Sequence, residues 1–289
     1  MGFPVINLRS ERTSEPRLDG KIALVTGASR GGGKGIALVL GERGATVYVT
    51  GRSVRGKPTI LGRPGTIDDT AEELTARGGR GIAVRCDHAD DAQVRALFER
   101  IRSEQGRLDL LVNNAWSGYE ISPNSDLPFW EIEWRHWDLM FDGGLRAAAF
   151  ASTLAAPLML ETQSGLIVNI TWVLDRPHGH AFYEVVKNAT NKLTEQLADD
   201  LRPFGIACLA VSPGFMRLER MDLTPELAAK AESAEFPGRA IAALASDPNV
   251  MSKSGGVFVT PALAREYGFT DVDGKQQSDF WDEHWAGTW

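Results

Sequence analysis

The chain has 289 residues, enough for one large α/β domain or two small ones with a buried core. Apolar residues make up 43% and charged residues 24%, the balance of a globular protein, which excludes a disordered chain. The formal net charge of −7 argues against a nucleic-acid partner.

Residues 1–17 are charged and lack the apolar core of a signal peptide, so they read as an N-terminal extension. Short apolar, β-rich runs then alternate with helical patterns. The predicted strands are 21–26, 45–51, 81–86, 108–113, 165–171, 205–211 and 256–260, and the predicted helices are 34–43, 67–77, 90–105, 137–160, 183–202 and 236–246. Continuous apolar strands separated by helices specify a parallel sheet covered on both faces. The fold class is therefore α/β: a single-domain, Rossmann-like, doubly wound, parallel seven-stranded sheet in three α/β/α layers, spanning 18–262. Residues 52–66 read as a surface loop, and 263–289 as a C-terminal extension. The longest apolar run, 147–160, is short for a bilayer span and contains Pro157, so no membrane helix or membrane partner is expected. Cys86 and Cys208 fall within predicted strands and form no disulfide framework, which points to a reducing cytoplasm.

The first strand runs directly into Thr26-Gly27-Ala28-Ser29-Arg30-Gly31-Gly32-Gly33, and a helix follows. Glycines at such a turn let the backbone approach a pyrophosphate, and the helix N-terminus favours its charge. The alternative is a glycine-rich turn without a ligand. The flanking strand and helix, with a second strand about twenty residues on, weigh against that. An acid ending the second strand would bind the ribose hydroxyls of NAD. Here the chain has Gly51-Arg52-Ser53, with Arg30 in the glycine loop and Arg55 nearby. Arginine offers a planar fork of donors to a 2′-phosphate, so NADP(H) is preferred over NAD(H). Solvated surface arginines are the alternative.

Further on, Tyr183 and Lys187 stand four residues apart on one helix face. A cation beside a phenol stabilises the phenolate, so Tyr183 can give a proton to a carbonyl oxygen or take one from an alcohol. The spacing alone is weak evidence. It gains weight from its place about 150 residues after the glycine loop, at the helix that follows the fifth strand.

With these motifs the chain resembles the short-chain dehydrogenase/reductase (SDR) family over about residues 18–262. The resemblance rests on TGASRGGG (26–33), Asp87, Asn113-Asn114-Ala115, Tyr183 with Lys187, and Pro213-Gly214. The stretches NNAWSG (113–118), PFWE (128–131), GLRAAAF (144–150), SDPNVMSKSG (246–255) and LAREYGFTDVDGK (263–275) resemble the narrower group that contains dehydrogenase/reductase SDR family member one. Members of that group are regarded as NADPH-dependent carbonyl reductases. The resemblance implies that Gly27, Ser29, Arg30, Gly31 and Gly33 line the cofactor phosphates and that Arg52 and Ser53 meet the 2′-phosphate. It also implies Asp87 and His88 at the adenine, Asn114 and Ala115 near the adenosine ribose, and Pro213 and Gly214 at the nicotinamide. Tyr183 would be the general acid/base, with Lys187 holding the nicotinamide ribose. The partner would be a small carbonyl or alcohol, and the assembly a homodimer or homotetramer pairing helices 137–160 and 183–202.

The chain departs from the family pattern at four places. Trp116 stands where a glycine follows Asn-Asn-Ala, and Gly144 stands at the asparagine that supports a relay water. Leu218 replaces a threonine that contacts the carboxamide, and Trp172 replaces the catalytic serine. Thr171 carries a hydroxyl one residue earlier. Consecutive strand residues face opposite ways, so Thr171 assists catalysis only if the strand end twists. The loss of one positioned donor costs on the order of 10²–10³ in rate. These losses leave a second reading open, a nucleotide-binding sensor or scaffold with little catalysis.

Four of the eight tryptophans, Trp116, Trp130, Trp134 and Trp137, fall within residues 116–137. The spacing of the last three predicts one buried helical face, whereas Trp116 and Tyr119 can line a pocket. Segments 116–136 and 215–235 read as substrate loops, the second as a mobile lid with a short helix from Pro225. His178 and His180 lie just before Tyr183. No third ligand has suitable spacing, so no metal is expected, and the pair reads as substrate-facing, as a proton relay or as plain loop histidines.

Overall fold

A computed structural model describes residues 17–57, 64–118, 120, 127–173, 181–219 and 221–278. In chain order the elements are β1 (Ile22–Val25), α1 (Gly31–Glu42), β2 (Thr46–Gly51), α2 (Ile67–Ala76), β3 (Arg80–Arg85), α3 (Asp91–Gln105), β4 (Leu110–Asn113) and α4 (Arg135–Leu160). There follow β5 (Gly165–Ile170), α5 (Ala181–Leu201), β6 (Ile206–Ser212), β7 (Met216–Arg217), α6 (Pro225–Lys230), β8 (Glu232–Ser233), α7 (Phe236–Ser246), β9 (Val257–Val259) and α8 (Thr260–Tyr267). Seven strands pair in parallel in the order β3-β2-β1-β4-β5-β6-β9. The order reverses between β1 and β4, so the carboxyl ends of those strands open a crevice.

Strand alternation sorts the core into two layers. Ala23, Val25, Val112, Val168 and Leu209 face Ile36, Leu40 and Ile241 of α1 and α7. Leu24, Leu111, Ile167 and Cys208 face Phe98, Ala151, Leu158 and Ala198 of α3, α4 and α5. A parallel strand buried on both faces is apolar at most positions, and burial shields the backbone ladder from water. Side-chain caps set several helix ends. The Thr66 hydroxyl accepts from the Asp69 amide, Asp90 accepts from the amides of Ala92 and Gln93, and Gly106 ends α3 at φ 70°.

Three features go beyond the sequence expectation. Helix α1 starts at Gly31, inside the glycine run, rather than at 34. Helix α4 runs from Arg135 and contains a π-helical turn over Phe141–Arg146. It is long and apolar enough to cross a bilayer by length and composition, but here Ala147, Ala151, Ala155 and Leu158 are buried in the protein. Helix α8 crosses position 262, with Leu263 and Ala264 buried, so the C-terminal segment begins inside the fold.

The expected tryptophan face is corrected. Trp130 and Trp134 are 72% and 63% exposed, and the positions turned inward are Ile132, His136 and Met140. Trp130 lies in a 3-10 turn and Trp134 precedes the helix, so no helical face unites the three. Trp134 stacks on Trp137, and Trp137 on Phe141, with Phe182 edge-on to both tryptophans.

Candidate active site

A cleft of about 730 Å³ opens at the crevice between β1 and β4. It brings together the residues singled out from sequence: Gly27, Ser29, Arg30, Gly31, Gly33, Arg52, Ser53, Asp87, His88, Asn114, Ala115, Thr171, Tyr183, Lys187, Pro213 and Gly214. Tyr119, His178 and His180 lie outside the described residues.

The glycine loop is held by β4. Asn114 donates from Nδ2 to the carbonyls of Thr26 and Gly27, and the Thr26 hydroxyl accepts from the amides of Asn114 and Ala115. The Asn114 amide group is thus spent on shaping the loop. A Cβ at Gly27 would sit 2.8 Å from the Ala115 backbone, and one at Gly33 would sit 2.4 Å from the Gly27 carbonyl oxygen. Only glycine permits this approach.

The donors suited to phosphates carry carboxylates. Helix α1 has no capping side chain of its own and no acid in its first turn. Its first amide, Gly31 N–H, donates instead to both carboxylate oxygens of Glu219, at 3.1 Å each. Arg52 forms an ion pair with Glu120. Arg30 donates to the Ser53 hydroxyl at 2.9 Å and to the carbonyls of Pro64 and Gly65. Arg55 is instead bound to Asp69 and Glu72 of α2, so it braces a helix. Sequence reasoning singled out neither Glu120 nor Glu219. Each is one acid in a loop, and its partner lies 68 or 188 residues away.

Just after β3, Asp87 accepts from the Ala89 amide. The His88 Nε2 lies 2.8 Å from the Thr50 hydroxyl. Burial pulls His88 down to about 4, against the opposing pull of Asp87 and with help from Arg52, so the ring is neutral near pH 7.

Tyr183 and Lys187 project from α5. The Tyr183 ring lies between two indoles, edge-to-face with Trp116 at 5.4 Å and with Trp172 at 5.5 Å. The Lys187 ammonium lies 4.3 Å from the Trp116 ring centre and 3.3 Å from the Ile170 carbonyl oxygen. Burial lowers Lys187 to about 8. The Ile170 carbonyl and the indole face, which attracts cations, partly compensate the buried charge. Trp116 fits because position 144 has no side chain, since a Cβ there would fall 2.7 Å from the indole. The π-turn that carries Gly143 and Gly144 seats Ser117 and Trp116 against α4.

Thr171 is not aimed at the cleft through its hydroxyl. It continues the alternation of Ile167 and Asn169 toward α5, and its Oγ1 lies 2.6 Å from Asn191 Oδ1 and 3.3 Å from the Lys187 carbonyl oxygen. The hydroxyl is held toward α5, so in this conformation the condition for an assisting role, a hydroxyl turned to the cleft, is not met. After β6, Pro213 and Gly214 line the cleft. The Gly214 amide donates to buried Glu232, and β8 pairs with β7, so both ends of segment 215–235 are tied down. Helix α6 starts at Pro225 as expected, capped by Thr224.

The family described as short chain dehydrogenase matches residues 21–226. Human dehydrogenase/reductase SDR family member 1 is 38% identical, over 91% of this chain and 87% of that protein. The 3-oxoacyl-(acyl-carrier-protein) reductase FabG of Staphylococcus aureus is 34% identical, over 72% of this chain and 79% of its own. Among solved structures, a 7α-hydroxysteroid dehydrogenase complexed with NADH and 7-oxo glycochenodeoxycholic acid superimposes with a TM-score of 0.70. It is 26% identical and covers 84% of this chain and 93% of its own.

Proposed function

The chain belongs to the short-chain dehydrogenase family, oxidoreductases that act on CH–OH or C=O groups with a nicotinamide cofactor, and from that premise we propose that it is an NADP(H)-dependent carbonyl reductase. The substrate is an aldehyde, a ketone or, in reverse, a secondary alcohol. The observation that carries the reading is one cleft with anion-holding donors at Gly31 and Arg52 at one end and Tyr183 with Lys187 at the other.

The residues fit the cofactor. Glu219 on the Gly31 amide and Glu120 on Arg52 are anions of this chain on the donors that a pyrophosphate and a 2′-phosphate require. Gly27 and Gly33 leave no Cβ in the way. Arg30, Arg52 and Ser53 favour the phosphorylated ribose. When bound, the nicotinamide supplies the hydride equivalent. Tyr183 donates its phenolic proton to the carbonyl oxygen, and the Lys187 ammonium holds the nicotinamide ribose and stabilises the phenolate left behind. The indoles of Trp116 and Trp172 shield the phenol from water, which strengthens its coupling to Lys187. No hydroxyl from β5 polarises the carbonyl, so turnover is slower than where a serine does so. Family members commonly form oligomers, and a homodimer or homotetramer through α4 and α5 is part of the proposal, as are the absence of nucleic-acid and membrane partners and a cytoplasmic location.

Tyr183→Phe tests the reading. NADPH consumption with a panel of aldehydes, quinones and ketones is expected to fall about 10²–10⁴-fold while NADPH still binds. Unchanged turnover contradicts the mechanism. Tight NADPH binding without turnover on any carbonyl favours the sensor or scaffold reading, which the turned-away Thr171 hydroxyl supports.

A further inference from the structure

Two carboxylates of the chain occupy the two donor sets of the cleft that suit phosphate groups. Glu219 takes the Gly31 amide at the start of the twelve-residue helix α1, with both oxygens at 3.1 Å. Glu120, 14% exposed, takes Arg52. The two acids come from different places, one on the segment after β4 and the other on the segment after β6. Those segments border the substrate end, since Trp116 and Leu218 lie within four residues of the acids and line the same cleft. A donor pointed at a carboxylate cannot at the same time hold a phosphate. A carboxylate left in place beside a phosphate also repels it.

We propose that Glu120 and Glu219 are internal competing anions that set cofactor affinity and selectivity. Glu219 is displaced by the pyrophosphate that NADPH and NADH share. Glu120 is displaced only by the 2′-phosphate, which NADH lacks. NADPH therefore frees both donor sets, and NADH frees only the Gly31 amide. The proposal rests on the cofactor reading above and adds two selectivity residues to it.

The test is the affinity of NADPH and NADH for the intact chain, read by quenching of tryptophan fluorescence, for the parent and for Glu120→Gln and Glu219→Gln. Each substitution keeps the side-chain shape and removes the charge. Removing one competing carboxylate charge is expected to tighten binding about 3- to 10-fold. Glu219→Gln should tighten both cofactors alike. Glu120→Gln should tighten NADPH and leave NADH within about twofold. This split between cofactors is a readout that a general loosening of the fold would not produce. Thermal unfolding checks that each variant is folded, and Glu120→Ala and Glu219→Ala repeat the comparison with the side chain shortened. Unchanged or weakened NADPH binding in either Gln variant overturns the proposal, as does equal tightening of both cofactors by Glu120→Gln. A parent chain that binds neither dinucleotide overturns the cofactor reading itself. A parent that binds both while the variants match it overturns only the competing-anion proposal.

Discussion

Tyr183 is framed by two indoles and a buried ammonium, and their chemistry sets its working range. Lys187 is buried against the Trp116 ring and is lowered to about 8. Below that pH the ammonium is present and stabilises the phenolate that forms as the proton leaves. Above it the charge is lost. In the reductive direction kcat/KM is therefore expected to fall about tenfold per pH unit above pH 8, measured with NADPH in excess. A flat profile to pH 9.5 would show that Lys187 does not tune the proton donor. Thr171 gives the complementary test. Its hydroxyl is bound to α5, so Thr171→Val should leave kcat within about threefold, where removing a donor to the reacting oxygen would cost 10²–10³. The variant should instead lose about 1–2 kcal/mol of unfolding free energy, because Asn191 loses a part-buried partner. A hundredfold fall in kcat would restore Thr171 to the catalytic group.

At the scale of elements, the π-turn in α4 and the segment after β4 are built for each other. Trp116 occupies the space that a side chain at 144 would need, and Gly143 leaves room for Ser117. Position 116 can hold an indole because position 144 holds a glycine. Gly144→Asn alone is expected to destabilise by several kcal/mol through overpacking, and Trp116→Gly alone by a cavity and a lost cation–π contact. The double variant should be more stable than the sum of the two losses by at least about 1 kcal/mol. Thermal and denaturant unfolding of the four proteins measures the coupling, and additive losses would show the two positions to be independent. This pair also shows what sequence could and could not reveal. The glycine loop and Tyr183 with Lys187 are local patterns whose backbone and helix geometry follow from spacing, so they were legible. So was the parallel, doubly wound sheet, because apolar runs alternating with helices leave few arrangements. The ion pairs of Glu120 and Glu219, the Trp116–Gly144 contact and the direction of Thr171 depend on where distant segments meet. The tryptophan spacing misled because helical periodicity carries meaning only where a helix exists, and α4 begins after Trp134.

For the whole molecule, the sheet carries its chemistry at the carboxyl ends of its strands and its stability in two apolar layers. His88 links the two. It is buried, neutral and lowered to about 4, whereas in the unfolded chain it titrates near 6.5. Between those values the unfolded chain binds more protons than the folded one. Stability from this group is complete above pH 6.5 and is lost as the pH falls toward 4, by on the order of 3 kcal/mol. His88→Asn should flatten that part of the pH–stability curve, and an unaltered curve would mean that other groups carry the acid sensitivity.

The central claim is that this cleft moves a hydride from NADPH to a carbonyl carbon with Tyr183 as the proton donor. NADPH deuterated at the transferable position of its nicotinamide, incubated with the parent chain and a panel of carbonyls, tests it by mass spectrometry of the products. The account predicts an alcohol labelled at the carbinol carbon from the parent chain and a product lower by at least about a hundredfold from Tyr183→Phe. An unlabelled product, or equal labelling by the two proteins, would contradict it.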